Sequence, residues 1–329
     1  NGLPKCGADS VRFALIDLDS GDSVNVDVDH VASVNHMCNK IWNALRLVKG
    51  WIVEGNTNRS AGNDFAVTWF DAKFNASLAE MERLLNEIQI SAALKILYSL
   101  VWDDFCSWFL EMIKPGYQQP IDRATFEKAI ELLEANLKLL HPFMPFLTEE
   151  IWQHITERTP EQALIVAHWP TTKAYDAQLV SDFEFAAEVI SGIRTIRKEK
   201  NISFKDTIDL RIVNKENAST FFDAIVSKLG NVASIEYVQD KVDGALSYRV
   251  KSNEYFIPIT GNIDVDAEVK KLTEELNYTK GFLKSVQAKL SNEKFVSGAP
   301  EKVIEMERKK EADALAKIAT LEQSLASLK

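Results

Sequence analysis

The sequence predicts a mainly α-helical protein: a helical bundle, then a small α/β unit, then an antiparallel coiled-coil hairpin. Three observations predict this. Across residues 31–200 apolar side chains recur at three- and four-residue spacing. Across 203–260 the pattern changes to strand-like alternation around one short helical stretch. From Asp264 onward the apolar positions narrow to a seam that is broken once and then resumes.

In the bundle, Met37, Ile41, Ala44, Leu45 and Val48 mark a first long helix, from Val34 to Lys49. A second, from about Asp64 to Asn86, follows Val67, Phe70, Phe74, Leu78, Met81 and Leu85. A third, from about Ile90 to Lys114, is dense in bulky residues, and Pro115-Gly116 ends it. A fourth runs from about Arg123 to Leu140. The prolines of "HPFMPFLTEEIW" then interrupt the pattern. Thr148 is expected to cap the next helix, with Glu149 and Glu150 in its first turn. A last helix runs from Phe183 to about Lys200. Helices of this length with short links pack as a bundle, with Trp42, Trp102, Trp108, Phe143 and Phe146 expected in its core.

In the α/β unit, "TIDLRIV" and "ASIEYV" read as strands flanking the helix "NASTFFDAIVSKLG". "LSYRV" and "EYFIPI" read as a hairpin. In the last part, Val269, Leu272, Leu276, Thr279, Leu283, Val286 and Leu290 form one seam, and Ile304, Glu307, Glu311, Ala314, Ile318, Leu321, Leu325 and Leu328 form another. Ser297-Gly298-Ala299-Pro300 lies between them: Gly298 suits a helix end and Pro300 a helix start. A short break makes the two helices neighbours folded back on each other. A seam of this kind also suits dimerisation through a coiled coil. The expected parts are 1–30, a joining segment; 31–202, the bundle; 203–262, the α/β unit; and 263–329, the arm.

Composition excludes several classes. The 329 residues are 46% hydrophobic and 26% charged, as in ordinary soluble proteins. No apolar run reaches the ~18 residues of a membrane span. Cys6, Cys38 and Cys106 form no CxxC pair, which argues against a zinc site, while their number and wide spacing exclude a disulfide framework and fit a cytoplasmic setting. The five histidines show no metal spacing. Phosphate-loop, dinucleotide, HExxH and GxSxG motifs are absent. Asp103-Asp104, at (i, i+1), point to different faces and are read as solvated or capping carboxylates rather than an acid/base pair. The opening "NGLPKCGADSVRF" has no initiator Met and is read as part of something larger.

A net charge of −10 argues against a wholly nucleic-acid-clinging surface, so cationic faces must be local. In "SGIRTIRKEKNIS", Ile190, Ile193 and Ile196 form the buried stripe. Arg194, Arg197, Lys198 and Lys200 then offer phosphate-binding groups on the other side. A solvated face paired with carboxylates is the alternative. In "CNKIWNALRLVKGW", Asn39, Asn43 and Arg46 share one face, flanked by Lys40 and Lys49. Such a face suits unstacked bases. Hydrogen bonding between helices is its alternative. On the arm, Lys270, Lys271, Lys280 and Lys284 stand with Lys289, Lys294 and Lys302 among many carboxylates. They could follow a phosphate backbone or simply solvate the surface.

The order of these motifs resembles class I aminoacyl-tRNA synthetases from the anticodon-binding domain onward. "GADSVRFAL" is similar to the segment after their signature loop. "NKIWNALRLV", "WDDFCSWFLEMIKP", "LLHPFMPFLTEEIWQHI" and "ISGIRTIRKEKNIS" resemble successive helices of the anticodon-binding bundle. "KLSNEKFVSGAPEKVIEMERKK" is similar to the arm of the valyl-tRNA synthetase family in particular. The resemblance implies that the bundle docks the anticodon region through Lys40, Asn43 and Arg46 and through Arg194, Arg197, Lys198 and Lys200. It implies that the arm, with Lys270, Lys271, Lys280 and Lys284, reaches the outer corner of tRNA(Val). Because the hairpin needs no second chain and Glu307 and Glu311 make its distal seam poor for homodimer packing, a monomer is expected. The family's His-Ile-Gly-His and Lys-Met-Ser-Lys-Ser stretches are absent from this sequence. The chain is therefore expected to bind tRNA without cofactor and to be inactive alone, the valine, ATP and Mg²⁺ chemistry belonging to other residues.

Overall fold

A computed structural model describes residues 7–17, 28–213, 222–258 and 265–291, with further residues between 304 and 325. The chain packs as two compact units, Asn1–Phe185 and Ala186–Lys329. The sequence-based boundary at 202 falls after the helix that begins in the first unit and ends in the second.

The first unit is helical. α1 (Ala8–Ile16) and α2 (Val28–Lys49) lead to β1 (Val53–Glu54) and α3 (Ala61–Asn86). The Ser60 hydroxyl accepts from the backbone N–H of Asn63 at 3.2 Å, which starts α3 three residues before the apolar pattern alone places it. β2 (Ile121–Asp122) pairs in parallel with β1 and runs into α6 (Arg123–Leu140). Asp122 caps α6, accepting from Thr125 N–H at 2.7 Å and from its hydroxyl at 2.8 Å. The core between these helices is aromatic. Phe70 stacks on Phe109 at 5.0 Å and contacts Phe105, and Trp69 lies 4.0 Å from Phe183.

The bulky helix expected from Ile90 to Lys114 is not uniform. α4 (Ile90–Ser99) passes into a π-helical stretch, Leu100–Phe109, and ends as α5 (Leu110–Ile113). The wider π turn bonds i to i+5 and displaces carbonyls from the α ladder. The Trp102 carbonyl accepts from the Ser107 hydroxyl, five residues on, at 2.9 Å, and from Lys40 Nζ at 2.9 Å.

Asp103 and Asp104 do diverge, but Asp104 is not solvated. It is buried, and Lys73 lies 3.8 Å away. Burial outweighs that cation and pushes the Asp104 carboxyl up to about 7. Its unfolded pKa is lower. The native state therefore gains from the protonated form below pH 4 and loses this gain as pH rises through 7. Asp104→Asn is expected to flatten this part of the pH dependence and to narrow the stability difference between pH 5 and 8 by roughly 2 kcal/mol. Urea unfolding at the two pH values measures it.

α7 (Pro145–Ile155) corrects two expectations. Thr148 is not its cap: it lies within the helix, fully buried, and its hydroxyl donates to the Met144 carbonyl at 2.7 Å. Pro145 already occupies the first turn, so the helix starts earlier. The anionic cap comes from α1. Asp9 accepts from the backbone N–H groups of Phe146 at 3.2 Å and Leu147 at 2.5 Å. Phe146, expected in the core, is 66% exposed on this first turn, whereas Phe143 is buried. Trp42, Trp102 and Trp108 are half-buried.

The second unit contains the end of α8 (Ala177–Glu199), β3 (Ile208–Val213), α9 (Asp223–Gly230), β4 (Val232–Val238), β5 (Ala245–Val250) and β6 (Asn253–Pro258). The sheet order is β4-β3-β6-β5. β3 and β4 are parallel, joined through α9, while β6 is antiparallel to both β3 and β5. The start of the predicted "NASTFFDAIVSKLG" helix lies outside the described residues. Asn231, at φ 52°, takes the left-handed conformation that ends α9 and turns the chain into β4. α8 lies close to β5 at Gly192, where an added Cβ would meet the Tyr248 ring at 2.2 Å. Tyr248 donates to the Val189 carbonyl at 3.0 Å and stacks on Tyr255.

α10 (Val265–Leu290) and the return segment form the hairpin. The described residues from Ile304 to Leu325 are helical. Leu276 packs with Ile318 and Leu321, and Leu283 and Leu325 lie against them. Polar contacts fix the direction. Lys280 pairs with Glu322 at 2.6 Å, Gln287 donates to Glu311 at 3.0 Å, and Lys289 lies 3.8 Å from Glu307. One residue number rises as the other falls, so the limbs are antiparallel. The tip, Ser297-Gly298-Ala299-Pro300, lies outside the described residues.

Candidate nucleic-acid interface

On α2 the buried side chains Val34, Met37, Ile41, Ala44, Leu45 and Val48 fix the opposite face outward. Asn39, Asn43 and Arg46 are exposed there, one above another. His36, three residues before Asn39, joins this face; the same spacing could have found it.

Lys40 is on the flank and turns inward. Its Nζ donates to the Trp102 carbonyl and, at 2.7 Å, to the Ser107 hydroxyl, and it sits 3.9 Å over the Trp102 ring. Burial lowers its pKa, with Cys106 and Asp103 opposing. Lys40 therefore secures the π stretch instead of lining the outer face. Lys49, which flanks the face in sequence, donates to the His154 carbonyl at the end of α7.

The α8 cluster divides in the same way. Arg197 does not point outward: it is 3% exposed. Its guanidinium donates to the carbonyls of Gly230 at 3.2 Å, Asn231 at 3.0 Å and Ser203 at 2.8 Å. Gly230 and Asn231 end α9, where carbonyls lack helical partners and the dipole is negative. Burial lowers the Arg197 pKa, and Asp206 opposes it. Arg194 is exposed yet reaches the Leu229 carbonyl at 3.4 Å. The sequence held a signal for Arg197: it stands four residues after Ile193 and seven after Ile190, on the buried stripe itself. Lys198 is exposed, and Lys200 is half-buried.

On the arm, Lys270 and Lys284 are exposed, and Lys280 is engaged by Glu322. The side chain of Lys271, like Lys294 and Lys302, lies outside the described residues. The predicted residues thus separate by role. Asn43, Arg46, Lys198, Lys270 and Lys284 face outward, while Lys40 and Arg197 hold the fold.

Residues 68–213 match the family described as the anticodon-binding domain of tRNA ligase. Residues 264–329 match the valyl tRNA synthetase tRNA-binding arm. The chain is 54% identical over 327 residues to a valine–tRNA ligase of Christiangramia forsetii. It is 46% identical over 328 residues to that of Phocaeicola vulgatus and 45% over 327 residues to that of Parabacteroides distasonis. Each alignment covers 99% of this chain and 37% of the relative, so the chain spans just over a third of those proteins. The bundle and the self-paired arm agree with both matched domains, and the chain carries the anticodon-binding domain of tRNA ligases and the valyl-tRNA synthetase tRNA-binding arm.

Proposed function

We propose that this chain is the tRNA-binding portion of a cytoplasmic valine–tRNA ligase and acts as a monomer. The bundle docks the anticodon region of tRNA(Val), with Asn39, Asn43 and Arg46 toward the loop and Lys198 toward phosphates. The arm extends toward the outer corner of the tRNA; the 26 residues of α10 reach about 39 Å. Ligation of valine with ATP and Mg²⁺ belongs to the rest of the ligase. No described helix is long and apolar enough to cross a membrane.

The observation that carries the reading is the closure of the arm on itself. Leu276, Ile318 and Leu321 bury the seam within one chain, so the outer faces, rather than the seam, meet a partner. The competing reading, a helical protein dimerising through its coiled coil, needs that seam open.

Filter binding to tRNA(Val) is expected to weaken steeply with salt. Arg46→Glu and Lys198→Glu are each expected to weaken it and to reduce the salt slope by about one or two phosphate contacts. Equal affinity for heparin and for tRNA would sink the proposal. Sedimentation is expected to give a monomer with or without residues 264–329; a dimer lost with the arm would favour the competitor.

A further inference from the structure

The arm is electrostatically neutral. Residues 264–329 carry twelve Lys and Arg against twelve Asp and Glu. Several lysines are engaged internally: Lys280 by Glu322, and Lys289 and Lys310 by Glu307. Equal numbers of the two signs give the arm little net attraction for a phosphate backbone. Uncharged groups on its surface are then left to contribute to RNA affinity.

One face of α10, away from the seam, differs from the rest. Tyr278 is 78% exposed and Phe282, one turn on, is 41% exposed. At helical spacing, Gly281 and Ser285 share this face with them. Glycine inside a helix is destabilising relative to alanine. Packing does not require it here, because a Cβ added at Gly281 would meet nothing within 4 Å. Gly192 and Gly230, by contrast, are crowded, and Gly244 is open but takes a left-handed φ of 66°. What remains is a helix surface left open at Gly281 and bordered by two exposed rings, on the limb whose seam packs against Ile318 and Leu321.

We propose that Tyr278, Gly281, Phe282 and Ser285 form a stacking platform for an exposed base face of the folded tRNA, and that the arm binds chiefly through this contact and not through its lysines. Gly281 lets the flat base approach the helix, and the Tyr278 and Phe282 rings lie against its exposed face. Such stacking tolerates any base, because every base presents a π face. The inference rests on the tRNA-binding reading above and adds the atoms that carry the arm's share of it.

The test uses the whole chain and tRNA(Val). Tyr278→Ala and Phe282→Ala are each expected to weaken binding by roughly five-fold or more, the size of one base–aromatic stack. The slope of log K against log salt should not change. Gly281→Ala is the decisive variant: it should raise the melting temperature of the arm while weakening tRNA binding. Wild-type affinity in Gly281→Ala and both aromatic variants would overturn the platform while leaving the broader reading intact. So would loss accompanied by a shallower salt slope, or a dimer that Phe282→Ala dissociates. Absence of tRNA binding by the unaltered chain would sink both.

Discussion

Arg197→Met is expected to destabilise the second unit by roughly 3–5 kcal/mol, enough to unfold much of it at physiological temperature. The guanidinium satisfies three carbonyls at once, and two of them, Gly230 and Asn231, terminate α9. Methionine fills a similar volume and donates nothing, so buried acceptors lose their partners. Arg197→Lys should recover only part of the loss, since a single ammonium cannot match three carbonyls set around a planar fork. Hydrogen exchange supplies the readout. Amides of α9, β3 and β4 should lose protection, and those of α3 and α6, in the first unit, should keep theirs. A stable Arg197→Met protein with weakened tRNA binding would instead return this residue to the RNA-facing set.

Gly192→Ala should destabilise the same unit by about 3 kcal/mol. Overpacking usually costs 1–3 kcal/mol, when neighbours can give way. Here the obstructing atoms are Cδ2 and Cε2 of Tyr248, at 2.4 and 2.2 Å from the added carbon. That ring cannot swing aside cheaply, because Tyr255 stacks on it at 4.9 Å and its hydroxyl is tied to Val189. Relief requires α8 to move off β5. Tyr248→Ala in the same chain should make Gly192→Ala nearly neutral, a non-additivity that identifies this contact as the cause. Thermal unfolding of the two single variants and the double variant completes the cycle.

Both effects rest on contacts that local spacing does not reveal; sequence reading succeeds elsewhere. Period 3.6 gave the long helices, period 2 gave the four strands of the larger sheet, and the narrow seam gave the hairpin. Each depends on spacing between near neighbours. The failures were long-range. Nothing near Arg197 announces that the carbonyls of residues 230 and 231 will arrive beside it. Nothing near Lys40 predicts a widened helix turn at Trp102, 62 residues later. Asp9 caps a helix 137 residues away, so the local threonine was given that role instead. Cationic side chains are ambiguous for the same reason: a guanidinium suits a phosphate and a helix terminus equally. Only burial separates the two, as it does for Arg46 and Arg197. The outward set, Asn39, Asn43 and Arg46, was legible because the apolar stripe of their own helix points them away from the core.

The antiparallel pairing of the last two limbs makes the hairpin a graduated ruler. Each rung joins residues whose numbers change in opposite directions, so equal lengths can be cut from both limbs without shifting the match between them. Removing seven residues from each would bring the tip about 10 Å closer to its base while leaving the seam in phase. A deletion in one limb only would slip every rung beyond it.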